Sequence, residues 1–165
     1  MANTSFTGPV RSQNGFQGYS TDASANVSLA LSAQGTGVVL NTSSVQFFQL
    51  TATTVTTASD VTYTAAQLKT GLILRDPNGG ARADLFPTAA SLLTAVPGAV
   101  AGTSFIVTIR NTADAAETIT MTTNTGLTLS GTMTIAQNAQ KDFLVTFTDV
   151  GTAAVTIYSM GSVTF

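Results

Sequence analysis

The chain has 165 residues, which is enough for one domain with its own hydrophobic core. Only 8 % of its residues are charged, against about 25 % in typical soluble domains, and its net charge is −2. So small a charge provides no field that attracts nucleic acid or an anionic membrane, and we expect neither as a partner. So small a net charge also provides little repulsion between copies of the protein. This favours an obligate oligomer or a protein docked on a larger surface.

Two residue types that carry much of protein chemistry are missing from the sequence. The chain contains no cysteine and no histidine, which excludes disulfides, thiolate nucleophiles and zinc-finger sites and removes the usual general base. The first residues lack the basic and apolar regions of a secretory signal. No apolar run approaches the roughly 20 residues that span a bilayer. We therefore expect a protein that is made in the cytoplasm and has no membrane segment.

Residues 1–36 are rich in asparagine, serine, glycine and glutamine, and their apolar side chains are thinly spaced. Phe6, Val10, Phe16 and Tyr19 are too few to bury a core. This pattern is typical of a loose terminus, or of an extended arm that becomes ordered on a neighbouring subunit with these side chains as anchors. Isolated aromatic side chains are costly to leave in water, which favours the arm.

Residues 37–165 have the pattern of β-strands, because β-branched and aromatic residues alternate with threonine and serine between turn signals. The clearest predicted strands are Phe105–Arg110, Phe143–Thr148 and Val155–Tyr158. The last apolar residues of the sequence are Val163 and Phe165. One apolar and one hydroxylated face per strand is typical of an antiparallel sandwich or barrel. We predict an all-β domain, an antiparallel β-sandwich of jelly-roll-like type, with about eight to ten strands.

Two short helices are expected as connectors between strands. Thr64–Gln67 fits a capping box, in which a threonine caps the helix and the glutamine three residues later reaches back to its amide. Residues 88–96 also favour a helix, with Leu92, Leu93 and Val96 as its apolar face.

Arg75 and Arg82 flank a predicted tight turn, Asp76–Gly80, whose proline, asparagine and glycines suit turn conformations. Two interpretations of the arginines remain open. Either they form local pairs with Asp76 and Asp84, or they project together from one end of the domain and make a docking or intersubunit contact. The turn also begins like a calcium loop, but no further ligand follows at the required spacing.

The remaining polar residues do not form a recognisable catalytic motif. Most of the eight carboxylates fall in predicted turns, where aspartate usually caps its own backbone. Serine and threonine have no histidine to activate them, and neither a phosphate-binding loop nor a basic patch is present. We therefore predict a protein without enzymatic activity, metal or cofactor.

Several long strings resemble the motifs of small structural proteins from tailed bacteriophages. They are T-S-F-T-G-P-V-R-S-Q-N-G-F, Y-T-A-A-Q-L-K-T-G-L-I-L-R-D-P-N-G-G-A-R-A-D, P-T-A-A-S-L-L-T-A-V-P-G, F-I-V-T-I-R-N-T-A-D-A-A-E-T-I-T, G-L-T-L-S-G-T-M-T-I-A-Q-N and I-Y-S-M-G-S-V-T-F. Through them, nearly the whole chain is similar to capsid decoration, or cement, proteins. The resemblance implies a virion protein that is made in the host cytoplasm and binds the major capsid protein on the outside of the expanded head, commonly as a homotrimer.

The motifs of this resemblance contain no catalytic residue. The resemblance implies that the capsid, or other copies of this chain, would be the partner at the candidate contacts. The candidate contacts with the capsid or with other subunits are Phe6, Val10, Phe16, Tyr19, Arg75 and Arg82. The alternative is a head-fibre or tail adhesin that binds a host surface ligand, because such proteins share this low-charge composition. An adhesin should expose aromatic side chains, whereas the aromatics here are expected mostly inside the strands.

Overall fold

A computed structural model of the chain describes residues 51–165. All of them belong to one compact unit of the chain. Four of the candidate contacts, Phe6, Val10, Phe16 and Tyr19, lie outside the described residues. The arm predicted for residues 1–36, its boundary with the β domain and the strands predicted before Thr51 lie outside them as well.

The threonine- and valine-rich segments of residues 51–165 form nine strands, with two short helices between some of them. The elements follow the chain as β1 (Thr53–Val55), α1 (Ala65–Lys69), β2 (Leu72–Arg75), β3 (Arg82–Leu85), α2 (Ala89–Ala95), β4 (Ser104–Asn111), β5 (Ile119–Thr122), β6 (Leu127–Ser130), β7 (Thr134–Ile135), β8 (Ala139–Asp149) and β9 (Ala154–Thr164). The predicted β-rich fold with two short connecting helices is confirmed.

The strands form one sheet of six and one sheet of three. In the larger sheet the order is β1-β2-β4-β8-β9-β6. Its centre is antiparallel, since β8 pairs with β4 on one side and with β9 on the other. The pairs β1–β2, β2–β4 and β6–β9 are parallel. The smaller sheet has the order β3-β5-β7, with β3 parallel and β7 antiparallel to β5.

The prediction of antiparallel sheets is therefore wrong for part of the fold, because both sheets are mixed. Alternation along a strand predicts which residues share a face, but it does not predict the direction of the neighbouring strand. Parallel neighbours need a crossover connection between them. Between β2 and β4 the chain supplies one, since it passes through β3 and α2 before it returns.

Both helices begin after a threonine cap, and the first of these caps is predicted by the sequence. The Thr64 Oγ1 accepts a hydrogen bond from the Gln67 backbone N–H at 3.2 Å, and the Gln67 Oε1 accepts one from the Thr64 N–H at 2.8 Å. These two bonds confirm the capping box. Thr88 caps α2 through its side chain, and Leu92 in that helix is fully buried.

One hydrophobic core joins the two sheets and the helices. Val107 and Phe143 from the larger sheet, Ile119 from the smaller sheet and Leu92 from α2 belong to the same buried cluster. Phe86, directly after β3, packs against Phe143 edge to face with the ring centroids 5.3 Å apart. Residues from both sheets and both helices thus contribute to the same core.

Gly126 lies at a close approach that tolerates no side chain. Its φ is +77°, and a Cβ there would lie 2.6 Å from the Ala153 carbonyl oxygen and 2.7 Å from the Ala89 Cβ. Gly98 is a matched control, because its φ is +81° but nothing lies within 4 Å of a Cβ.

We expect Gly98→Ala to lower the free energy of unfolding by about 1–2 kcal/mol, through backbone strain alone. Gly126→Ala should cost about 1–3 kcal/mol more, because the added carbon forces neighbouring backbone to shift. Urea denaturation of both variants measures the difference. Equal losses would contradict the close packing of this loop on α2.

Candidate functional site

Arg75 and Asp84 meet inside the domain, although their strands belong to different sheets. Arg75 ends β2, Asp84 lies within β3, and the turn Asp76–Gly80 is part of their connection. The Arg75 Nε donates to the Asp84 Oδ2 at 2.8 Å, and the Arg75 Nη2 donates to the Oδ1 at 3.2 Å. Both side chains are fully buried. A two-pronged bond between ions is among the strongest hydrogen-bonded contacts in proteins.

The other N–H groups of Arg75 donate to backbone carbonyls. Its Nη1 reaches the carbonyl oxygens of Thr57 at 2.8 Å and Asp76 at 2.7 Å, and its Nη2 reaches that of Ser59 at 2.8 Å. All five donors of the guanidinium are therefore used. Because a buried charge without partners is strongly destabilising, this saturation is what permits the burial of Arg75.

Asp84 is also held by the segment that precedes α1. The Tyr63 hydroxyl donates to the Asp84 Oδ2 at 2.8 Å, and the Val61 backbone N–H donates to the Oδ1 at 3.1 Å. Together with Arg75, these groups give the carboxylate four hydrogen bonds. We call Tyr63, Arg75 and Asp84 the buried cluster.

Two members of the buried cluster have fixed protonation states. Burial, and then the negative charge of Asp84, raise the pKa of Tyr63 far above its ordinary value. Burial alone would lower the pKa of Arg75, but the hydrogen bond and the charge of Asp84 outweigh it, so that the pKa is raised. Neither group exchanges a proton near neutral pH, which a general acid or base must do. The buried cluster is therefore suited to hold segments of the chain together.

The turn after β2 has the conformation that its residues predict. Asn78 and Gly79 have φ values of +51° and +96°, in the region that asparagine and glycine tolerate. The Asp76 Oδ1 accepts a hydrogen bond from the Asn78 N–H at 2.9 Å, and the Glu117 Oε1 accepts one from the Gly79 N–H at 2.8 Å. Asp76 thus caps its own turn.

Of the two interpretations of Arg75 and Arg82, local pairing is confirmed for Arg75, which pairs with Asp84, and joint projection from one end of the domain is wrong. Arg75 has no exposed surface, because its guanidinium is neutralised inside the protein by Asp84. Arg82 is partly exposed, and it donates to the carbonyl oxygens of Pro77 at 3.0 Å and Asn78 at 3.4 Å. Of the two arginines, only Arg82 has surface to offer to a partner.

A depression of about 290 Å³ opens beside β4 and is lined by Lys69, Gly71, Val96 and residues 103–106. Lys69 is the one titratable residue of this lining, and its Nζ donates to the Ala95 carbonyl oxygen at 2.5 Å. A lysine without a carboxylate beside it does not make an acid–base pair.

The charged groups of residues 51–165 are not gathered into a metal site. No three acidic side chains of this range come close enough together to hold an ion. Asp149 shows their usual role, since its Oδ1 accepts hydrogen bonds from the backbone of Gly151 and Thr152 in the β8–β9 turn. Bonds from Thr152 and then Gly151 lower its pKa. In the same range, no helix is both long enough and apolar enough to cross a membrane.

Large, mostly apolar side chains on the solvent side of β4, β8 and β9 form an exposed surface of the described domain. The strand registers place these residues on one side of the sheet: Ile106, Arg110, Leu144, Tyr158, Val163 and Phe165. We call this set the outer face. The expectation that the aromatics lie mostly inside holds for residues 51–165, since Tyr63, Phe86, Phe143 and Phe147 are buried, but Tyr158 and Phe165 are exposed.

A one-residue bulge in β9 explains why sequence reasoning missed part of the outer face. Asp142 pairs with Gly161 but Phe143 pairs with Ser159, so Met160 is the extra residue. A shift of one residue moves all following side chains to the opposite face. Without it, Val163 would share the buried side of β9. The glycine at 161, with φ +138°, is the only sequence signal of this irregularity.

The chain matches no family model, no curated protein and no solved structure.

The buried cluster predicts a large difference between the two arginines. We expect Arg75→Met to lower the free energy of unfolding by about 3–5 kcal/mol, because it leaves the Asp84 carboxylate buried without its counter-ion. Arg82→Met is the matched control and should cost about 0–1 kcal/mol. Guanidinium denaturation measures both. Similar losses for the two variants would show that Arg75 is not held as described.

Tyr63 also predicts a loss of stability at high pH. Its pKa is raised in the folded state, so above its unfolded pKa of about 10 only the unfolded state loses the proton. The contribution of Tyr63 to the free energy of unfolding should therefore be constant below pH 10. Above pH 10 it should fall by about 1.4 kcal/mol per pH unit.

Tyr63→Phe should remove this slope while the rest of the pH profile remains. Burial lowers the pKa of Lys141 and gives a slope of the opposite sign, but that contribution is common to both proteins and cancels in the difference. Urea unfolding of both proteins at several pH values from 8 to 11 measures the difference between their free energies of unfolding. Parallel profiles for the two proteins would contradict the burial of the Tyr63 hydroxyl.

Proposed function

We propose that this chain is a non-enzymatic capsid decoration protein of a tailed bacteriophage, which binds the major capsid protein on the outside of the head as a homotrimer. The observation that carries the proposal is the outer face, a broad apolar sheet surface on a domain with very few charges. Such a surface suits a protein that works while docked to others, since large exposed apolar patches are typical of interaction sites.

Physical arguments favour docking to a repeated lattice. Each square ångström of apolar surface removed from water contributes about 25 cal/mol, so one modest contact per copy is weak after the cost of association. A trimer that makes three such contacts at once binds far more tightly than one copy. A neutral, apolar contact also keeps its strength in salt, because there is little charge to screen.

The described ionisable groups support the non-enzymatic part of the proposal. Arg75 and Asp84 are inaccessible and saturated with hydrogen bonds, and Asp76 and Asp149 cap turns. These groups stabilise the domain, and none of them faces the depression beside β4.

A finer description of the fold belongs to the same proposal. We infer that the two sheets form a β-sandwich, supported by the core that they share and by the contact between Phe86 and Phe143. The mixed strand directions distinguish this arrangement from a regular jelly roll, whose sheets are antiparallel.

A head-fibre or tail adhesin is the second candidate. The exposed rings of Tyr158 and Phe165 favour it, because aromatic side chains bind sugars and proteins on host surfaces. These rings lie on a sheet face and not at a loop tip. Both proposals place the chain on the virus particle, but in different numbers.

The number of copies per purified virus particle separates these functions. We expect quantitative mass spectrometry to find about one copy per major capsid protein subunit, since decoration repeats over the whole lattice. A high-salt wash should not remove the protein. A few copies per particle would instead indicate a fibre or tail position, and absence from the particle would overturn both proposals.

A further inference from the structure

We propose that the last part of β9, Gly161–Thr164, pairs edge to edge with the same segment of a second copy of this chain. The contact continues the six-stranded sheet of one copy into that of the next. This inference goes beyond the proposed function, because it holds whether or not the protein decorates a capsid. In the proposed homotrimer it joins copies of adjacent trimers, since a symmetric pair cannot close a ring of three.

Only the first half of β9 has a partner strand on both sides. β8 pairs with it as far as Thr164, whereas β6 pairs with it only from Val155 to Tyr158. After Ser130 the chain leaves this edge, and the next strand, β7, belongs to the other sheet. Within residues 51–165, Gly161–Thr164 therefore has one edge without a partner strand, and these residues are exposed. We call it the free edge.

The hydrogen bonds to β8 indicate which backbone groups point to the free edge. The Phe165 N–H donates to the Asn138 carbonyl oxygen at 2.9 Å, so the backbone of Phe165 faces β8. The backbone groups of successive residues in an antiparallel strand point to opposite sides, so those of Val163 face β8 as well. Ser162 and Thr164 therefore turn their N–H and C=O groups to the free edge.

Two free edges are complementary when a two-fold axis relates the two copies. With Val163 opposite Val163, Ser162 of each copy lies opposite Thr164 of the other copy. Residues opposed in this way exchange both of their N–H···O=C hydrogen bonds, so every backbone group that Ser162 and Thr164 turn to the free edge gains a partner. β6 covers β9 only as far as Tyr158, so it lies outside the paired residues and does not block the contact.

The free edge lacks most of the features that keep strand edges apart. Proteins protect such edges with lysine or other charges, with proline or with a bulge. Residues 150–165 contain no charged residue and no proline. The bulge at Met160 lies before Gly161, and the pairing with β8 is regular from Gly161 to Thr164. Two copies therefore meet without electrostatic repulsion, and their exposed Val163 side chains contact each other across the axis.

Pairing over so few residues is weak by itself, because an isolated two-stranded ribbon is only marginally stable in water. The contact becomes stronger when copies are held side by side, since their effective concentration is then high. A surface that binds many copies holds them in this way. We therefore expect free copies to associate only briefly, and a covalent link to trap the contact.

A disulfide trap tests the contact in the full-length protein, whose sequence contains no cysteine. Opposed residues that share no hydrogen bond have Cα atoms about 4.5 Å apart, within the range of about 4.4–6.8 Å that a disulfide bridges. Val163→Cys therefore places two thiols at a bridging distance on the axis. Val100→Cys is the matched control, because Val100 and Val163 are 63 % and 62 % exposed. Both variants are incubated in a glutathione redox buffer, and linked dimers are quantified by non-reducing electrophoresis.

We expect at least about tenfold more linked dimer from Val163→Cys than from Val100→Cys, because thiols opposed across the axis have a high effective concentration. Adding Thr164→Pro to Val163→Cys should reduce the linkage to the level of the control, because proline removes an N–H that points to the free edge. Proline is tolerated where the N–H makes no bond within the sheet, so the circular dichroism spectrum should be unchanged.

Two outcomes would overturn the proposal. Equal linkage of the Val163→Cys and Val100→Cys variants would show that the free edge does not pair with a second copy. Linkage through position 163 that persists after Thr164→Pro would show that two copies meet through their outer faces, without backbone pairing. Either result leaves the copy-number measurement on virus particles unaffected, so this proposal and the proposed function fail separately.

Discussion

The described domain depends on one buried interaction, the ion pair between Arg75 and Asp84. It links the end of a strand in one sheet to the middle of a strand in the other, and its remaining hydrogen bonds hold the irregular segment from Thr57 to Tyr63. Removing two charges from water costs several kcal/mol for each ion, so the pair is tolerable only with all its partners in place. The chain thus uses one of its few arginines to fix the relative position of internal segments.

Local features of the sequence predicted the helices and the strand faces well. The capping box at Thr64 and Gln67 depends on neighbouring residues alone, and it formed as expected. The alternation along β4 and β8 correctly separates buried Val107 and Val145 from partly or fully exposed neighbours. Strand direction was not predictable in this way, because parallel pairing depends on crossovers between residues far apart in the chain.

The residues that sequence reasoning misplaced are those governed by distant partners. Asp84 stands two residues after Arg82 in the sequence, yet its partners are Arg75 and Tyr63, which approach it from other elements. The exposed face of Val163 was not predictable, because the bulge at Met160 changes the side of the sheet on which the following residues lie. A period of two identifies faces only while the register is unbroken.

The order of strands in the larger sheet has a consequence for synthesis. Its middle is formed by β4, β8 and β9, and the last two of these are made after all the other described strands. While β9 is still inside the ribosome, β1, β2 and β4 lack the antiparallel centre on which they assemble. The β8–β9 hairpin, with its short turn, is the most local pairing and the fastest to form. The edge of β4 that faces β8 therefore stays unpaired until β8 has left the ribosome, and that of β8 until β9 follows.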